Sequence, residues 1–127
     1  MNTLFTNKGR EKLAKAQAGD IALSAITHIA FGTGGHAPGD VIVPVAPDPA
    51  AATLENEVIR KAVESHTFTS PSIMRYSCKL LKADVNGQVI TEAGLIDSQG
   101  DLIAIKTFGG KVKENDTEFW FDWDAKY

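Results

Sequence analysis

Three carboxylates, Glu92, Asp97 and Asp101, lie close together in the chain. Paired carboxylates are the machinery of glycoside hydrolysis, one serving as acid and the other as base or nucleophile. The residues around them favour a plainer role. Asp97 and Asp101 flank Ser98-Gln99-Gly100, a turn in which aspartate accepts hydrogen bonds from nearby backbone N–H groups. Glu92, two residues before Gly94, is expected to satisfy backbone donors or a cross-strand base. His28, His36, His66 and Cys78 are the remaining candidates for a metal, but no Cys-x-x-Cys or His-x-x-x-His spacing links them. A Ser/His/Asp triad lacks its Gly-x-Ser-x-Gly elbow. No catalytic residue, metal or cofactor is therefore expected.

The other stretch with chemical promise is Ile26-Thr27-His28-Ile29-Ala30-Phe31-Gly32-Thr33-Gly34-Gly35. Ile29 and Phe31 alternate with His28 and Ala30, and Leu23 and Ala25 continue the first face backwards, so a strand is predicted to run into a glycine loop. Gly32-x-Gly34-x-x-Ala37 fits a loose dinucleotide fingerprint. That motif binds pyrophosphate only when it opens a helix, and Ala37-Pro38-Gly39-Asp40, followed by Pro44, Pro47 and Pro49, prevents one. No Gly-Lys-Ser or Gly-Lys-Thr is present either. Gly32, Gly34 and Gly35 are thus expected to be structural, allowing positive φ or a close backbone approach.

Composition bounds the partners. The 127 residues are 43% apolar, with 13 basic and 16 acidic residues and a net charge of −3. That suits a single domain and gives no global attraction to nucleic acid or anionic membrane. One cysteine excludes an intramolecular disulfide. No targeting segment is visible, and no apolar run approaches the roughly 18 residues of a membrane span.

The elements that must position these residues follow from the pattern. Thr6-Asn7 supplies a capping residue before a helix over residues 8–18, with Leu13, Ala14 and Ala16 inside it and Gly19 as its stop. Its Lys8, Arg10, Lys12 and Lys15 read as a solvated face. Leu4 and Phe5 either staple this helix to the body or dock against a partner. Val41-Ile42-Val43 is a short strand before the stiff Pro44-to-Pro49 segment. Residues 50–56 suggest a short helix, with a strand from Val58. From Met74 onward, Met74, Tyr76, Cys78 and Leu80 alternate with Arg75, Ser77 and Lys79. Asn86-Gly87 is a strong hairpin signal that should return residues 88–97 antiparallel to that strand. A second turn at Ser98-Gln99-Gly100-Asp101 leads to residues 102–105 and on towards Phe108. Gly109-Gly110 and Lys113-Glu114-Asn115-Asp116 break the next connection. Phe119, Phe121 and Trp123 then alternate with Trp120, Asp122 and Asp124. Residues 74–127 thus read as one antiparallel meander, in which Gly94 marks a bulge or a close neighbour. The expected fold is α+β, mainly antiparallel β sheet with an N-terminal helix and long glycine/proline-rich loops, as a single domain over residues 1–127.

Three separated blocks together resemble the N-terminal domain of phage tail-collar fibre proteins. Thr6-Asn7-Lys8-Gly9 with Leu13-Ala14-Lys15-Ala16-Gln17 resembles the family's opening helix. The stretch from Ile26 to Gly35 resembles its glycine loop, with Thr33 standing where the family usually carries an acidic residue; Thr53-Leu54-Glu55-Asn56-Glu57-Val58 follows it. Thr91-Glu92-Ala93-Gly94-Leu95-Ile96-Asp97, with Gly100-Asp101-Leu102-Ile103-Ala104, resembles the family's hairpin, marked by Glu92, Gly94 and Gly100. Lys111 falls where the family often has lysine. No fibre shaft and no collagen-like or β-helical repeat is present, so the resemblance implies the anchoring part of a virion protein, with host recognition carried elsewhere. It implies a non-enzymatic tail or baseplate protein, homotrimeric as fibres are and made in the host cytoplasm. Its partners would be other tail, baseplate or fibre proteins.

Aromatic residues support a reading from another class, a small carbohydrate- or peptide-binding β module that stacks its ligand on Trp120, Trp123, Tyr76 and Tyr127. Trp120 lies on the strand face opposite Phe119 and Phe121 and should be exposed or covered by a partner. Leu4, Phe5, Trp120 and Trp123 are the candidate partner-interface residues.

Overall fold

The computed structural model describes residues 2–81, 84–85, 87–112 and 118–127. In chain order the elements are β1 (Asn2–Phe5), α1 (Asn7–Gln17), β2 (Ile26–Gly32), β3 (His36–Ala37) and β4 (Asp40–Pro44). They continue as β5 (Glu57–Ala62), β6 (Ser65–Ser70), β7 (Ile73–Leu80), β8 (Val89–Asp97), β9 (Leu102–Val112) and β10 (Phe119–Lys126). Every strand pairing is antiparallel. The chain is thus mostly antiparallel sheet with one short helix near its N-terminus.

The helix begins where its cap chemistry allows. Thr6 Oγ1 accepts from Gly9 N at 3.0 Å and donates to Leu102 O at 2.7 Å, so one hydroxyl both starts α1 and ties it to β9. Gly9 lies so close to β9 that an added Cβ would sit 2.5 Å from Ile103 O. Gly19, at φ +83°, ends the helix.

A five-stranded sheet, ordered β1-β9-β8-β2-β5, is the larger layer, and a three-stranded sheet, ordered β10-β7-β6, faces it. Between them lie Ile29, Phe31, Leu95 and Phe108 from one side and Cys78, Leu80, Phe121 and Trp123 from the other. Phe31 meets Phe121 edge-on at 5.0 Å, the arrangement aromatic quadrupoles favour. The opposite face of the large sheet is also covered: Ala30, Ile96, Leu102 and Ile105 pack with Leu54, which comes from the irregular stretch at 45–56. Burial on both faces accounts for the buried Ala30 on the face of β2 opposite Ile29 and Phe31.

Several expectations are corrected. Strands β7 and β8 do not form a hairpin, because β7 pairs with β6 and β10 whereas β8 pairs with β2 and β9. Residues 74–127 therefore divide between two sheets. Alternation in β7 specifies a half-buried strand but not its partner; Asn86 of the turn signal lies outside the described residues. Gly109 and Gly110 do not break β9, which runs on to Val112. Their lack of side chains lets β4 cross close by, with Ile42 O 3.4 Å from a Cβ built on Gly109. Lys113-Glu114-Asn115-Asp116 lies outside the described residues. Residues 50–56 form turns rather than a helix. The anticipated long glycine- and proline-rich loop is in part a hairpin, β3–β4, turned by Pro38-Gly39 with Gly39 at φ +74°. Leu23 and Ala25 precede β2 instead of extending it, and Leu23 is exposed.

Candidate functional site

Strand β8 carries two buried carboxylates, and each organises one end of the large sheet. Glu92 is 2% exposed. It accepts from the backbone N–H groups of Asn56 at 2.8 Å and Glu55 at 3.2 Å, fastening the irregular segment to the sheet. The glycine loop makes room for this contact. A Cβ on Gly32 would strike Asn56 O at 2.6 Å as well as the Glu92 carboxylate, and one on Gly34 would strike Glu55 Cβ at 2.6 Å. Gly35 holds φ +71°. Thr91 Oγ1 donates to Gly34 O, and Asn56 Nδ2 donates to Thr33 Oγ1 at 2.6 Å. Thr33 thus makes a polar contact of its own. The three glycines are steric requirements around a carboxylate, and the loop opens no helix for a phosphate.

Asp97 lies five residues further along the strand, roughly 16 Å at a strand's rise, so it makes no acid–base pair with Glu92. Its Oδ1 accepts from the N–H groups of Asp101 at 2.9 Å and Gln99 at 3.1 Å, the turn role expected of it. Its Oδ2 receives Lys12 Nζ at 2.5 Å, and Lys12 also reaches Asp101 at 2.6 Å and Gln99 Oε1 at 2.9 Å. Burial opposes the charge on Asp97, yet the Lys12 ammonium and the turn N–H groups outweigh it and hold its carboxyl below the ordinary range. Burial likewise opposes the charge on Lys12, and its bonds to Asp101 and Asp97 raise its pKa. Lys12 is thus not part of a solvated basic face. It is a clamp joining α1 to the β8–β9 turn across 85 positions of sequence.

The remaining candidates are dispersed. Gly94 does mark a close neighbour: a Cβ there would lie 2.5 Å from Leu102 Cδ1 and 3.2 Å from Leu54 Cδ2. Gly100 turns the hairpin at φ +84°. His28 Nδ1 lies 2.9 Å from Thr27 Oγ1, His36 Nδ1 lies 2.8 Å from its neighbour's carbonyl, and His66 sits beside the Tyr76 ring. Among the described residues no group of three or more His, Cys, Asp or Glu is placed to hold a metal. Cys78 is buried, which with nearby Glu64 pushes its thiol pKa up to about 12, so thiolate chemistry is closed to it.

Of the interface candidates, Trp120 is 62% exposed and Trp123 is fully buried. Trp123 belongs to the core between the sheets and is not presented to a partner; its parity with Phe121 on β10 dictates this. Burial of Trp123 also removes one of the four stacking surfaces required by the carbohydrate-module reading. Lys79 Nζ, 5.2 Å over the Trp120 ring, occupies part of a second. Leu4 and Phe5 lie on the edge strand β1 and are half-buried, with Phe5 5.5 Å from the Tyr127 ring. Sequence reasoning missed β1 altogether, along with an apolar groove of about 430 Å³ between α1, residues 23–26 and the end of β10. Leu13, 44% exposed, lines it beside Gly9 on the same side of α1.

Among the described residues the candidate carboxylates, histidines and cysteine are not brought together. The buried charges fasten the helix and the glycine-flanked segment to the sheet, as in a scaffold. A search of curated proteins finds no match to the chain. The family model described as phage tail-collar fibre protein, N-terminal, matches residues 1–119. That span takes in the capped helix, the glycine loop and the Glu92–Gly100 hairpin, and the chain therefore belongs to the phage tail-collar fibre family of tail structural proteins.

Proposed function

We propose that the chain anchors or connects tail fibre components in the tail or baseplate of the virion, as a single non-enzymatic attachment domain that assembles as a homotrimer. Membership of a tail fibre family supports association with other tail proteins and a place in the virion tail. The observation that carries the reading is an uncovered apolar run on the β4 side of the small hairpin. Val41, Ile42, Val43 and Val45 are 38%, 75%, 49% and 48% exposed, with no charge among them. A water-facing monomer blunts such a strand with lysine or other charge, whereas a component of an assembly buries it.

Purified phage particles test the proposal. Peptides of this chain should be found in them by mass spectrometry, and particles from a strain lacking the gene should be deficient in fibres. Particles that lack the chain and bear normal fibres without it would overturn the reading.

A further inference from the structure

Strand β10 has a projecting indole near one end and the apolar groove at the other. Trp120 and Lys126 are six residues apart on the same outward face, roughly 20 Å at a strand's rise. The groove is floored by Phe5, Leu13, Leu23 and Tyr127, and its rim carries Arg10 and Lys126. Among the described residues Arg10 has no ion-pair partner, and the Lys126 side chain is exposed. At its inner end Lys12 and Asp97 are already satisfied by one another. A site of 430 Å³ lies within the range that encloses small aromatic ligands.

Around Trp120 the charge has the opposite sign. Glu118 and Asp122 flank it; among the described residues Lys79 pairs with Glu118 at 3.4 Å, and Arg75, near Asp122, is paired with Asp124. Asp122 accepts a hydrogen bond from Ser77 at 2.6 Å. Among the described residues the neighbourhood of the indole therefore carries a net negative charge, and the groove rim carries Arg10 and Lys126.

Resting on the self-association proposed above, we infer that Trp120 of one copy seats in the α1/β10 groove of the next, with Glu118 and Asp122 facing Arg10 and Lys126. Because knob and groove are different patches at opposite ends of one strand, the contact is heterologous. Such a contact closes into a ring when its rotation allows, and leaves an open chain when it does not. The indole supplies apolar area, and the charges set its direction of entry.

A complementation experiment on the full chain tests this contact. Trp120→Ala removes the knob and Leu13→Glu blocks the groove; both positions are exposed, so both variants should fold, as circular dichroism will verify. Each alone should lose the wild-type oligomer and sediment as a single chain of 13.6 kDa. Mixed in equal amounts they should form a species of two chains, since one intact knob and one intact groove remain. Arg10→Glu should weaken wild-type association at least tenfold, and paired with Glu118→Lys in the same chain should recover most of it. Folded single variants that keep the wild-type mass, or a mixture that stays at one chain, would overturn the knob-and-groove contact and leave the virion role standing. A wild-type chain that is monomeric at every concentration would overturn it together with the self-association it rests on.

Discussion

The two ends of β8 solve one problem in different ways. At one end Glu92 is neutralised by backbone N–H groups of Glu55 and Asn56, and the cost is borne by glycines that clear its path. At the other end Asp97 is neutralised partly by its own turn and partly by Lys12, which arrives from the N-terminal helix. A carboxylate held by peptide dipoles fixes the path of a loop. One held by a cation fixes the position of a whole element. The helix is consequently tied at its start by Thr6 and Gly9 and one turn on by a single buried ammonium, whereas the irregular segment is held by backbone donors.

Removing that cation is the largest expected effect. Lys12→Met should destabilise the fold by about 4 kcal/mol, because Asp97 keeps a side chain only 1% exposed and loses its counter-ion. Urea denaturation measures this, and adding Asp97→Asn in the same chain should restore much of the loss. If Lys12→Met cost no more than a surface change, the clamp would not be what holds α1.

Acid should reveal the same asymmetry. The Asp97 carboxyl lies below its ordinary 3.8, so its contribution is full above that pH and is lost as the pH falls through its lower folded value. The stability gap between wild type and Lys12→Met should therefore narrow as the pH drops below 3.8, measured by denaturation across a pH series. A gap that stays constant would place the loss outside the Asp97 ion pair.

At the other end the effect should be smaller. Glu92→Ala leaves two backbone donors, on Glu55 and Asn56, to find other acceptors, for a cost of about 2 kcal/mol. Hydrogen exchange should show it locally, as faster exchange at Glu55 and Asn56 with α1 unaffected. Smallest is Gly100→Ala, where a Cβ would meet nothing within 4 Å and only the φ of +84° is strained, destabilising by about 1 kcal/mol, seen as a lower melting midpoint.

What the sequence revealed follows the same division. Local chemistry was legible: the cap at Thr6-Asn7, the Gly19 stop, the Asp97 turn, the need for glycine at 94 and the outward Trp120 each depend on neighbours a few residues away. The role of Glu92 was legible too, since a buried carboxylate beside a glycine must find donors. Lys12 was misread because a lysine on a basic helix has the same pattern whether water or an aspartate 85 positions away receives it. The division of β7 and β8 between sheets was invisible for a related reason, in that a period-two pattern names a face and leaves the partner open. Trp123 was misplaced among the surface candidates although its parity with Phe121 argued for the core. The groove needed α1, β1 and β10 together, three elements from both ends of the chain.

The proposed self-association is tested most directly by native mass spectrometry of the wild-type chain at micromolar concentration. The expected result is a discrete species of three chains, each of 13.6 kDa. A single 13.6 kDa species at every concentration tested would contradict it.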